Sequence, residues 1–176
     1  MKTIADLHIH SRFSMATSKE GTPENLDFWA RKKGISLIGT GDFTHPVWRE
    51  ELKKRLIAEG NSLYRLRDEY VKEESRKFPG EGTHFVVSGE ISSIYKKNGK
   101  TRKVHNVILL PSLEAADAMA QHLEKIGNIH SDGRPILGLD SHDLLEMMMD
   151  VCPEGILIPA HIWTPHFSVL GAKSGF

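Results

Sequence analysis

The chain has 176 residues, 39% hydrophobic and 26% charged, which is one domain's worth of ordinary globular composition. Its 23 Lys and Arg balance 23 Asp and Glu, so no global field draws in nucleic acid or membrane, and a polyanion must meet a local basic cluster. A single cysteine, Cys152, excludes an internal disulfide framework, and no apolar run reaches spanning length or forms a signal-peptide core near Met1, so a soluble, cytoplasmic protein is expected.

Residues 3–9 read as a strand, in which Asp6, His8 and His10 share one face while Leu7 and Ile9 turn to the other. Two imidazoles so aligned form half of a metal-binding claw, although an isolated His-x-His is more often incidental. Thr22-Pro23 opens a helix with a hydroxyl cap and proline at its first position, Leu26, Trp29 and Ala30 make its apolar stripe, and Gly34 ends it. Residues 35–40 form a second strand running into Gly41-Asp42. A charged helix is expected from Pro46 to about Ala58, and another over roughly 62–77.

His84 to Glu90 reads as a strand that delivers a carboxylate at its end. Asn98-Gly99 marks a hairpin over 91–110, with Lys96, Lys97, Lys100, Arg102 and Lys103 crowding its tip. That basic tip is either a solvated turn or a contact for a phosphate backbone. Residues 113–126 form an amphipathic helix stopped by Gly127, and Asp140-Ser141 caps another with Leu144, Leu145 and Met148 inward. Residues 155–160 make a short apolar strand of the kind buried in a parallel sheet, running into His161, and the last fifteen residues are loop-like. Cys152, beside Pro153, is expected to be structural.

Strands alternating with helices imply an α/β domain with parallel strands, whose chemistry collects at the strand ends. His8 and His10, Asp42, Glu90 and His161 all fall at such ends, four strands offering a ligand at the same kind of position. Imidazole and carboxylate suit Zn²⁺, Mn²⁺ or Fe²⁺, with Mg²⁺ possible. Asp6 is a candidate to orient a ligand from behind.

Asp6-Leu7-His8-Ile9-His10-Ser11, Gly41-Asp42, Gly89-Glu90, the His105 strand and Pro159-Ala160-His161 resemble the motifs of the PHP (polymerase and histidinol phosphatase) superfamily. Thr40-Gly41-Asp42-Phe43-Thr44-His45-Pro46, Lys103-Val104-His105-Asn106-Val107 and Pro159-Ala160-His161-Ile162-Trp163-Thr164-Pro165 resemble its endonuclease Q branch in particular. The resemblance implies a distorted (β/α)7 barrel with two to three divalent metals at the C-terminal ends of the strands. His8 and His10 would hold the first, Glu90 would bridge to a second completed by His105 and His161, and Asp42 stands where a third metal takes a ligand. Asp42 and Glu90 are the catalytic candidates. The implied activity is a metal-dependent nuclease nicking DNA 5′ of deaminated bases (uracil, hypoxanthine) or abasic sites, with no cofactor other than metal.

His45 is a candidate substrate or proton-transfer residue, or simply a cap beside Pro46. Lys103 and the closing loop with Gly171, Lys173 and Ser174 are substrate-side candidates, the loop offering backbone N–H groups and one cation; an ordinary loop is the alternative. Trp163, Phe167 and Phe43 are aromatic candidates for base stacking, with core packing the plainer use. The family's closing Asp-x-His pair is missing, since Asp140-Ser141-His142 lies at a helix start. About five core strands are counted, so residues 1–176 are expected to be the N-terminal portion of a PHP domain, truncated before barrel closure, with an open edge prone to self-association. A small-molecule phosphoesterase, or a non-catalytic remnant that binds metal or DNA, is the alternative function.

Overall fold

A computed structural model describes residues 3–176. The first strand, β1 (Ala5–Asp6), is shorter than the pattern suggests, and His8 and His10 follow it in irregular backbone. Helix α1 (Pro23–Lys33) forms as expected: Thr22 Oγ1 accepts from the Asn25 N–H, and Gly34, in left-handed conformation at φ +71°, donates back to Ala30 and Arg31. Its Trp29 is half-exposed rather than inward. Strand β2 (Leu37–Gly39) leads into helix α2 (Pro46–Arg55).

Past α2 the helical expectation fails twice. Leu56–Gly60 and Leu63–Leu66 are strands β3 and β4 of an antiparallel hairpin, and 3₁₀ turns at Asp68–Tyr70 and Glu73–Lys77 replace the remainder of the second helix. Asn61 and Ser62 both take positive φ in the hairpin turn, and Leu56, Tyr64 and Leu66 are buried. Period-two burial into the core overrides the helix-forming charged residues around it.

The long hairpin pairs β5 (His84–Lys97) with β6 (Lys100–Leu110) in unbroken antiparallel register from Val87–Leu110 to Lys97–Lys100, closing at Asn98-Gly99, both at positive φ. Helix α3 (Leu113–Glu124) starts where Ser112 Oγ accepts from Ala115, and α4 (Ser141–Val151) where Asp140 accepts from His142. Between them lies β7 (Ile136–Leu137), and β8 (Ile156–Pro159) follows α4. Leu144 and Met148 of α4 are buried, while Leu145 is exposed.

The sheet is mixed and curled. Strands β1, β2 and β5 run parallel, β5 then continues into its antiparallel pairing with β6, and β6 takes β8 antiparallel on its far side. The parallel placement expected for residues 155–160 is thus corrected: β8 pairs only with β6 among the described residues, and Ile156 and Ile158 remain exposed. β1, β2, β5, β6 and β8 form an open, five-stranded half-barrel.

Side-chain alternation sorts this half-barrel into two faces. Val87, Ile91, Ile108 and Leu110 point outward into the main core with Phe43, Trp48, Leu52, Phe85, Met119 and Leu123, all nearly or fully buried. On the inner face the register aligns Glu90 with Val107, and His105 with Ser92. Val107 and Leu109 lie opposite Ile158 and Ile156. A second, small apolar cluster of Val107, Leu109 and Ala160, touched by Leu7, sits on this inner face. Cys152 is buried in the main core, as its apolar neighbours suggest. No helix among the described residues is long and apolar enough to cross a membrane.

Candidate metal centre

Glu90 lies in the middle of β5, not at a strand end, and is 2% exposed. Four imidazoles from three separate stretches of chain converge on it. His8 Nε2 and His105 Nδ1 lie 3.2 and 2.9 Å from Glu90 Oε1, His161 Nε2 lies 3.7 Å from the same oxygen, and His10 Nε2 lies 3.2 Å from Oε2. His105 Nδ1 and His161 Nε2 are 3.2 Å apart, and the His8 and His161 rings stack at 5.9 Å between centroids.

Two sets of ligand-type atoms result, His8, His10 and Glu90, and Glu90, His105 and His161, each mutually within 4.8 Å. Despite its three imidazole neighbours, buried Glu90 Oε1 has no hydrogen-bond partner of acceptable geometry. The ring nitrogens crowd the oxygen without aiming N–H bonds at it. Ligand bonds of about 2.0–2.2 Å in a tetrahedral shell place donor atoms about 3.4 Å apart, close to these separations. The donor set therefore fits a divalent cation of the zinc, manganese or iron type.

With protein groups alone, the electrostatics are strongly polarised. Burial would raise the Glu90 carboxyl, but the imidazoles of His10, His105 and His8 gathered around it override that and hold the group far below the usual carboxylate range. His10 is raised to about 9, chiefly by Asp42 and then by Glu90, against its burial. Burial, with His105 alongside, lowers His161.

Asp42 lies outside both of these ligand sets, beside His10. Its Oδ1 is 3.0 Å from His10 Nδ1 and accepts from Ser14 Oγ at 2.9 Å, while Oδ2 accepts from the Ser11 N–H at 2.7 Å and Ser11 Oγ at 2.6 Å. Fully buried and saturated on both oxygens, it fixes the His10 ring with Nε2 toward Glu90, the orienting part expected of Asp6. Its backbone is left-handed at φ +51°. The adjoining Gly41, at φ +66°, would place a Cβ 2.7 Å from the Ile9 carbonyl, and a Cβ on Gly133 would meet the Asp42 carboxylate at 2.4 Å. Trp48 Nε1 donates to the Gly41 carbonyl at 2.9 Å, so α2 holds the loop in place.

The substrate-side candidates scatter. His45 occupies the N-cap position of α2 but makes no capping bond; it stacks on Phe13 at 4.2 Å, its Nδ1 is buried without a partner, and burial lowers its pKa. The closing loop is tied up rather than open. Gly171 N–H donates to Ser168, Lys173 N–H to Pro165 and Gly175 N–H to Gly171. Ser174 is buried, accepting from the Phe167 N–H at 2.9 Å and bonding the Lys103 carbonyl, so it pins the loop to β6. The Lys103 ammonium lies 5.5 Å from the Phe167 ring centre. At the hairpin tip Lys97 pairs with Asp140, and Arg102 reaches the Gly175 carbonyl and the Phe176 ring. Phe43 is core and Phe167 packs on His105, but Trp163 is 78% exposed two residues past His161, against the core role expected of it.

Sequence reasoning did not single out Ser14 or Arg134, whose Nη1 lies 3.6 Å from Glu90 Oε2. Neither carries a pattern, since each is brought in by a loop. A third grouping, His142, Asp143 and Glu146, is exposed on α4 and shares no residue with the other two.

No protein-family model matches the chain. It is 34% identical over 172 residues to an uncharacterized protein of Methanocaldococcus jannaschii, an alignment that covers 97% of this chain and 18% of the relative. Among solved structures it is similar to the lesion-specific endonuclease PfuEndoQ of Pyrococcus furiosus, with a TM-score of 0.75 and 29% identity over 94% of this chain and 36% of that one. It is similar also to endonuclease Q in complex with a 27-mer duplex substrate bearing an abasic lesion at the active site (TM-score 0.72, 29% identity, 93% and 36% covered). A proposed metal-dependent phosphoesterase from Bifidobacterium adolescentis shares the fold (TM-score 0.54, 15% identity, 93% and 68% covered). This chain therefore spans about a third of the endonuclease chains and under a fifth of the curated relative.

Proposed function

We propose, from the match of the half-barrel to part of the PHP barrel of endonuclease Q, that residues 1–176 are the N-terminal portion of a PHP metallophosphoesterase domain and that the chain carries the metal centre of an endodeoxyribonuclease. In this reading it nicks DNA 5′ of a deaminated base, uracil or hypoxanthine, or of an abasic site. The observation that carries it is the convergence of His8, His10, His105 and His161 on buried Glu90, whose Oε1 lacks a hydrogen-bond partner. His8 and His10 would hold one cation with Glu90, and His105 and His161 would hold another with the same carboxylate. A bound divalent cation supplies Lewis-acid stabilisation of charge on the phosphate and acidifies water at neutral pH.

The chain's own residues do the rest. Asp42 keeps His10 in the tautomer that presents Nε2, with Ser11 and Ser14 holding Asp42. Lys96, Lys100 and Lys103 supply a local basic surface in a neutral protein, suited to backbone contact without sequence reading. Exposed Trp163, beside His161, offers an aromatic face to a base displaced from the stack.

Two measurements test the reading. Elemental analysis of the purified chain should find at least one equivalent of zinc, manganese or iron. The chain loaded with Mn²⁺, Zn²⁺ or Mg²⁺ should nick a uracil-containing or abasic duplex on the 5′ side of the lesion, resolved on a denaturing gel. Metal bound without nicking would overturn the nuclease assignment, and turnover of a phosphomonoester instead would point to a small-molecule phosphoesterase.

A further inference from the structure

We propose that Arg134 is a phosphate-binding residue of the cluster, its guanidinium gripping the non-bridging oxygens of the phosphoryl group acted on; this deepens the metallophosphoesterase reading and rests on it. The backbone around Arg134 is fastened to the segments that build the site. The Gly133 N–H donates to the Phe13 carbonyl at 2.9 Å, and the Gly133 carbonyl accepts from Thr44 Oγ1 at 3.0 Å. The Pro135 carbonyl accepts from the Ser92 N–H of β5 at 2.9 Å, and the Arg134 N–H is capped by Asp132 Oδ1 at 2.9 Å. Gly133 lies so close to the Asp42 carboxylate that no side chain fits there. The base of the Arg134 side chain is thus held by the loops that carry His10 and Asp42 and by the strand that carries Glu90.

Its head is not committed in the same way. Nη1 stands 3.6 Å from Glu90 Oε2, a charge contact beyond hydrogen-bond length, and the side chain is 37% exposed while Glu90 is 2% exposed. It therefore reaches from the buried carboxylate to the mouth of the site. Among the described residues it is the only lysine or arginine whose charged head lies within 4.0 Å of Glu90 or Asp42. Neighbouring guanidiniums are engaged elsewhere. Arg12 pairs with Glu51 at 2.8 Å, and Arg49 pairs with Asp117 at 3.0 Å and donates to two loop carbonyls.

A guanidinium presents five donors in a rigid fork that matches two oxygens of a phosphate as well as those of a carboxylate. Glu90 already faces four imidazoles, so Arg134 is not needed to offset its charge. With a cation held on Glu90, the loose Arg134 contact would weaken further and the fork would be left to an incoming anion. Charge-assisted, two-pronged bonds of this kind are stronger than neutral ones and strengthen as charge builds on a phosphate.

The test uses the full chain loaded with Mn²⁺, as wild type, Arg134→Ala and Arg134→Lys. Three quantities are read: manganese content by elemental analysis, affinity for inorganic phosphate by calorimetry, and kcat/KM for nicking an abasic duplex. Manganese content should be unchanged, phosphate affinity should fall about tenfold or more in Arg134→Ala with partial recovery in Arg134→Lys, and kcat/KM should fall on the order of 10²-fold. Unchanged phosphate affinity in Arg134→Ala overturns the assignment, and so does loss of manganese, which would make Arg134 a counterion of Glu90. If wild type binds manganese and phosphate but nicks nothing, the nuclease reading falls while the phosphate measurement still decides on Arg134. If wild type takes up no manganese, both fall.

Discussion

The two faces of the β5–β6 hairpin are built from the same strands and held by opposite physics. Its outer face presents Val87, Ile91, Ile108 and Leu110 to helices and loops that bury them almost completely. Its inner face carries Glu90, His105, Val107 and Leu109, with half-covered Ile156 and Ile158 opposite. Buried area stabilises the first, at roughly 25 cal/mol per Å² of apolar surface. The second is organised by charge around one carboxylate, and stacks imidazoles within 6 Å that repel one another whenever they are protonated together. From this contrast the fold is expected to survive loss of the cluster, whereas the cluster depends on the fold.

That division can be broken or sharpened by experiment. The largest effect is expected from Glu90→Gln, which removes the charge common to both ligand sets. Metal uptake should collapse and nicking fall by on the order of 10³-fold or more, with far-UV circular dichroism unchanged. Loss of the folded spectrum would show that the inner face also holds the sheet together.

On the outer face, Leu123→Ala should lower the unfolding free energy by about 2–5 kcal/mol in a denaturant titration, because the side chain is fully buried among close neighbours. Metal content per folded molecule should not change. Mn²⁺ at about a hundredfold excess over its Kd should add about 2.7 kcal/mol of stability, and a chelator should remove it. No thermal shift on metal addition would contradict a shared cation on Glu90. Asp42→Asn should weaken metal affinity by about 10- to 100-fold, as loss of an orienting carboxylate does, measured by competition with a chromogenic chelator. The smallest change is expected for Ile158→Thr, within about 0.5 kcal/mol by thermal melt, since that side chain is exposed. A loss of several kcal/mol there would mean that the inner face is covered in solution.

Much of this architecture is legible in the amino-acid order, because it depends on local chemistry. The caps at Thr22 and Asp140, the stop at Gly34 and the Asn98-Gly99 turn each act over a few residues, and each appears where expected. The candidate cluster is legible as well: His8, His10, Glu90 and His161 stand out because imidazoles and a carboxylate recur beside short apolar strands, and His105 through its resemblance to known motifs.

What tertiary structure alone decided concerns groups whose surroundings come from far along the chain. Residues 56–66 have helix-compatible composition but gain more by burying Leu56, Tyr64 and Leu66 in a hairpin. The apolar run at 156–159 reads as a buried parallel strand, yet it pairs antiparallel at the rim. Asp42 became the support of His10 because Ser11 and Ser14 saturate it from about thirty residues away, and Arg134 arrives beside Glu90 on a loop with no motif. Local rules act over a turn or a strand; hydrogen-bond saturation and side-chain burial depend on which distant segments meet, and only the fold settles that.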